Sequence, residues 1–95
     1  MRGGWVYIMT NKPHGLLYVG VTAHIAARTF QHGSRAGSDF CTRYNLTRLV
    51  FAERHETILA AIAREKALKN WNRLWKFRLI QEANPNWDDL FDVIV

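Results

Sequence analysis

Five side chains in this sequence stand out for the chemistry that their types permit: Tyr7, Tyr18, Arg28, His32 and Glu65. Glu65 interrupts an apolar helical stripe made of Ile58, Ala61, Ile62 and Leu68. A carboxylate on the buried side of a helix is costly unless it meets a cation, a metal or hydrogen-bond donors. Glu65 is therefore either an edge glutamate paired with a nearby arginine, or a metal ligand or catalytic group. Arg28 and His32 are four residues apart and share one helical face with Ile25. A guanidinium suits two-point grip on a phosphate and stays charged at any working pH; the plainer reading is a surface arginine. Tyr7 and Tyr18 sit in strand-like segments. A free tyrosine titrates at about pH 10, so either one serves as a base or nucleophile only where neighbouring positive charge makes the phenolate accessible. Otherwise both are half-buried strand residues. The four histidines and the lone Cys41 do not fall at zinc-ligand spacings, and there is no phosphate-binding glycine loop.

The elements that must position these groups can be read from the residue pattern. Trp5 to Thr10 and Leu16 to Val21 are β-branched and aromatic, with turn chemistry at Asn11-Lys12-Pro13-His14-Gly15 between them, which predicts a hairpin. Loop parity decides the geometry. An even loop, Lys12 to Gly15, sets Met9 opposite Tyr18 and Tyr7 opposite Gly20, so both tyrosines point the same way; an odd loop splits them across the sheet. Gly20 opposite Tyr7 also leaves room for something to approach the backbone. Thr22 is the expected N-cap of a short helix over Ala23 to His32, ended by Gly33. Residues 34–45 read as a polar loop. Arg48 to Glu53 reads as a third strand, with Leu49 and Phe51 on one face and Val50 and Ala52 on the other. From Glu56 to Glu82 the period is helical, with a break expected at Asn70-Trp71-Asn72. Asn84-Pro85-Asn86-Trp87 is a turn, and the acidic stretch over 82–95 is expected to lie on the body as a short helical turn. The whole reads as a single α+β domain over residues 1–95.

Composition narrows the function classes. Of 95 residues, 26 are Leu, Ile, Val or Phe, enough for a small core and against wholesale disorder. No apolar run approaches the roughly 20 residues that span a bilayer, and the start lacks the length and cleavage pattern of a signal peptide. One cysteine allows no intrachain disulfide. A soluble cytoplasmic protein with no membrane partner is the expectation. All 13 Lys and Arg lie at or before Arg78, against five carboxylates up to Glu82, so the body carries +8 and the end of the chain −3. Such a body favours a polyanion through counterion release. Four Trp and three Tyr accompany the cations and are able to stack on bases. Arg64, Lys66, Lys69, Arg73, Lys76 and Arg78 supply either a solvated face or a patch that tracks a backbone.

Taken together, these residues resemble the GIY-YIG endonuclease superfamily, in its small stand-alone bacterial form. The first signature tripeptide corresponds to Val6-Tyr7-Ile8 and the second to Tyr18-Val19-Gly20, nine residues apart. Arg28 lies ten after the second tyrosine and His32 fourteen after it, where the family has an arginine and a His or Tyr. Ala63-Arg64-Glu65-Lys66-Ala67-Leu68-Lys69 is similar to the family's metal-binding glutamate helix. Two departures stand: the first motif is Val-Tyr-Ile, and Val21 follows the second motif where some members carry lysine.

The resemblance implies a three-stranded antiparallel sheet flanked by helices, in the order β-hairpin–α–β–α–α. It implies one divalent metal, Mg2+ or Mn2+, held by Glu65 and water, and hydrolysis of DNA phosphodiester bonds in repair or recombination. Arg28 then neutralises charge on the phosphate, Tyr18 orients it, and Tyr7, aided by His32, positions or deprotonates the water; which of the two is the base stays open. The alternative is a non-catalytic nucleic-acid-binding module of the same fold. With no appended recognition domain in 95 residues, weak sequence specificity is expected. Double-strand cutting from one site needs two protomers or two visits, so a homodimer is compatible with the sequence.

Overall fold

Strands β1, Gly4–Thr10, and β2, Leu17–Thr22, form the expected antiparallel hairpin. Its turn is tied by Gly15 N–H donating to the Lys12 carbonyl at 2.9 Å and by Leu16 N–H donating to Asn11 Oδ1 at 3.0 Å. The buried Thr10 hydroxyl donates across the turn to the Leu16 carbonyl at 2.7 Å. The register is that of the even loop: Tyr7 faces Gly20 and Met9 faces Tyr18. The computed structural model describes residues 3–28 and 39–94. The last four residues of the helix expected over 23–32, including His32, and the Gly33 stop lie outside the described residues.

Strand β3, Arg48–His55, pairs antiparallel with β1 on its other side, so the sheet order is β2-β1-β3. A bulge between Ile8 and Met9 puts Phe51 opposite Ile8 but Leu49 opposite Met9. This corrects the simple alternation expected for the third strand. The extra residue lets Val50 and Phe51 join one core while Leu49 joins the other.

The two faces of the sheet bury two cores. On one face Val6, Ile8 and Val19 pack with Val50 and Phe51 under α3, Ile58–Asn70, and α4, Arg73–Ala83. Ala61, Leu68 and Ile80 supply the helical side of that core, with Trp87 closing it. The helix break falls where the sequence predicts it. Thr57 caps α3 by accepting from Ala60 N–H at 3.1 Å, and Asn72 caps α4 by accepting from Trp75 N–H at 2.9 Å.

On the opposite face Tyr7, Met9 and Leu49 pack with Ile25, Cys41 and Leu46. Ile25 belongs to α1, helical over residues 25–28. The Thr22 hydroxyl accepts from His24 N–H at 3.0 Å, the bond expected of a residue that caps the start of this helix. Cys41 belongs to α2, Asp39–Tyr44, where the sequence suggests only loop. Three things make that helix: Cys41 buries against the tyrosine face, Phe40 and Tyr44 meet at 4.9 Å, and Asn45 ends it at a φ of 59°. Leu46 N–H returns to the Cys41 carbonyl at 2.9 Å.

The last segment, with α5 at Phe91–Ile94, lies along β3. Leu90 N–H donates to the Leu49 carbonyl at 2.8 Å, Leu49 N–H donates to Asp89 Oδ1 at 3.3 Å, and Asn84 Nδ2 donates to the Val50 carbonyl at 3.1 Å. No helix of the described residues is long and apolar enough to cross a membrane.

Candidate active site

The site starts from the hairpin register. Tyr7 and Tyr18 emerge on the same face of the sheet, with ring centroids 6.2 Å apart and planes tilted by 45°. Gly20 makes the arrangement possible. A Cβ built there would stand 2.5 Å from the Tyr7 hydroxyl and ring and 2.9 Å from the Tyr18 ring. The space that the sequence leaves at Gly20 is thus filled by Tyr7 itself and not by an approaching ligand.

Tyr7 is 1% exposed and Tyr18 half-buried. Burial pushes the Tyr7 phenol well above its ordinary value. The neighbouring Tyr18 phenol and Cys41 thiol push in the same direction, as does the side-chain hydrogen bond to Tyr18, while the Arg28 guanidinium pulls it back. Burial wins, so Tyr7 is a neutral phenol across the physiological range. That suits it to hold a water or an oxyanion by hydrogen bonding more than to abstract a proton.

Glu65 lies on α3, which packs on the other face of the sheet. Its side chain is 14% exposed, and Oε2 sits 3.2 Å from Lys69 Nζ one turn on. The partner is therefore a lysine, whereas the structural reading of the sequence pointed to an arginine. Arg64, the nearest candidate, turns instead to Glu53 at 3.0 Å and lies over the Trp71 ring.

A groove of about 320 Å³ links the two faces. It is lined by Leu17, Tyr18 and Val19, three successive residues of the edge strand β2, by Phe40 from the tyrosine face and by Lys69 and Lys76 from the helical face. Successive strand residues point to opposite faces, so a groove touching all three wraps the edge. The structure thus brings Tyr7 and Tyr18 together, with Arg28 on the helix whose Ile25 packs on the same face, and Glu65 is held by Lys69, which lines the groove. His32 lies outside the described residues. Lys69 and Lys76 come from the cationic set that the sequence offers as a possible backbone-tracking patch; Phe40 is a groove residue that sequence reasoning did not single out, and nothing local signalled it.

Among the described residues no three His, Cys, Asp or Glu side chains gather as a metal cluster. Glu65 offers one hard carboxylate, one oxygen of which is engaged by Lys69. A single carboxylate completed by water and substrate oxygens is how Mg2+ is usually bound, so the donor set fits such an ion. Trp87 is buried as packing, with Nε1 donating to Gln81 Oε1 at 2.9 Å. Trp75 remains 53% exposed.

Comparison with known proteins agrees with this fold. The GIY-YIG catalytic domain matches residues 3–78. UPF0213 proteins of Staphylococcus aureus strains Mu3, Mu50 and N315 are each 33% identical over 82 residues, covering 86% of this chain and 99% of the relative. No solved structure matches the chain.

Proposed function

Because this chain belongs to the GIY-YIG family, a superfamily of nucleases, we propose that it is a divalent-metal-dependent endonuclease that hydrolyses DNA phosphodiester bonds. The observation that carries this reading is the packing of Tyr7 into the Gly20 gap beside Tyr18.

Glu65 is the residue to hold Mg2+ or Mn2+, with water completing the shell. When bound, the metal supplies Lewis-acid stabilisation of the charge on the phosphate and the leaving oxygen. The chain's own groups do the rest. Arg28, always charged, neutralises a non-bridging oxygen as charge develops. Tyr7, held as a neutral phenol, fixes the attacking water by hydrogen bonding, and Tyr18 orients the phosphate at the mouth of the groove. His32 is assigned the proton from that water, since burial keeps Tyr7 from taking it. The groove presents aromatic and lysine side chains suited to a strand's backbone, which supports weak sequence specificity.

The test is nicking of plasmid and branched DNA with Mg2+ or Mn2+. Glu65→Gln should lower the rate by about a hundredfold or more, with no loss of folded protein. Equal cutting by wild type and Glu65→Gln would remove the carboxylate from the reaction. Salt-dependent binding without any cutting would leave a non-catalytic nucleic-acid module.

A further inference from the structure

Six cationic side chains on α3 and α4 are candidates to meet a polyanion, and the structure sorts them. Arg64 is held by Glu53 and Trp71. Arg73 is held by the hairpin turn, its Nη2 donating to the Gly15 carbonyl at 2.6 Å and the His14 carbonyl at 3.2 Å, with its guanidinium over Phe77. Arg78 lines a separate hollow with Trp71, Trp75, Leu79 and Glu82. Lys66 is exposed and lines neither hollow. Lys69 and Lys76 alone line the groove that Tyr18 enters.

Lys69 is anchored by Glu65 at 3.2 Å, and among the described residues Lys76 has no acidic partner. Facing them, the Phe40 ring stacks near-parallel on Tyr18 at 6.3 Å. One wall of the groove is therefore cationic and the other aromatic, over the edge of β2, with which no described strand pairs.

We propose that Lys69 and Lys76 grip the phosphates of one substrate strand laid across the edge of β2, so that this groove is the path by which the strand reaches Tyr18 and Glu65. The inference rests on the DNA-hydrolase reading for the identity of the strand. It adds two binding residues and a path. A lysine ammonium is a mobile point charge, suited to following a backbone, and each phosphate it neutralises releases counterion.

The experiment measures anisotropy of short labelled DNA in chelator, where cutting does not intervene, across a range of salt. Lys69→Ala and Lys76→Ala should each weaken binding about tenfold and lower the salt slope by about one. Lys66→Ala and Arg78→Ala are the controls and should bind as wild type. In cleavage assays Lys76→Ala should raise KM and leave kcat within about twofold, a split that a merely structural lysine does not produce. Lys76→Gln, which keeps the stem and drops the charge, should behave as Lys76→Ala. Wild-type affinity and slope in the Lys69→Ala/Lys76→Ala double variant would overturn the inference, as would an equal loss in the controls. If the lysine variants lose binding while wild-type protein cuts nothing, the strand path stands and the hydrolase reading falls. If wild type cuts and the lysine variants cut and bind unchanged, the reverse holds.

Discussion

The sheet has two outer edges, and they are treated in opposite ways. At β3 the backbone of Leu49 is paired on both its N–H and its carbonyl, by Asp89 and Leu90, and Asn84 covers the carbonyl of Val50. Arg48 fastens the same segment by donating to the Trp87 carbonyl at 2.9 Å. No described strand pairs with the outer edge of β2, which is flanked by Tyr18, Phe40 and two lysines. Exposed strand edges invite pairing with other chains, and proteins close or charge them for that reason. Here one edge is closed by the last segment of the described residues, and the other is left open where the candidate chemistry lies.

The closed edge should be the more sensitive of the two to loss of stability. Trp87 is 1% exposed, and Trp87→Ala should cost about 3–5 kcal/mol, enough to unfold much of a small domain; urea titration followed by circular dichroism measures it. A loss below about 1 kcal/mol would show that β3 does not depend on its cover. The open edge has one position where stability and chemistry meet. Gly20→Ala pushes a Cβ into the Tyr7 ring and should cost about 1–3 kcal/mol, with a nicking rate reduced beyond what the remaining folded fraction explains. Full activity there would mean that the Tyr7 position is not critical.

A third difference appears at alkaline pH. Tyr7 titrates above its ordinary value of 10.0 when folded, so above about pH 10 the unfolded chain loses this proton first. The native chain then binds more protons than the unfolded one, and stability falls as pH rises. Tyr7→Phe should flatten that decline relative to wild type when unfolding free energies are compared across the range. An unchanged slope would mean that the phenol is less buried than its packing indicates. The smallest effect belongs to the rim of the closed edge: Asp89→Ala removes one acceptor from Leu49 N–H and should cost about 1 kcal/mol, with no change in nicking.

Much of the open edge was legible in the sequence, and little of the closed one. Loop parity specifies which residues face each other across the hairpin, because side chains alternate with period two; the sequence allows both parities, and the even one found in the structure sets Tyr7 against Gly20. The helix break at Asn70-Trp71-Asn72 was equally local, since Asn72 serves as its own cap. Glu65 stood out as a polar interruption of an apolar stripe, although its partner proved to be Lys69. The seal on β3 was not legible, because it joins residues 39 and 40 positions apart through backbone groups that carry no sequence signal. The bulge at Val50 and helix α2 were hidden for the same reason: the first comes from pairing with β1, and the second from Cys41 burying beneath Tyr7.

The most direct test is a Mn2+ titration followed by amide NMR. The account predicts that paramagnetic broadening appears first around Glu65 and the Tyr18 edge and that Glu65→Gln abolishes it. Broadening centred instead on Asp88, Asp89 and Asp92, the acidic cover of the opposite edge, would contradict it.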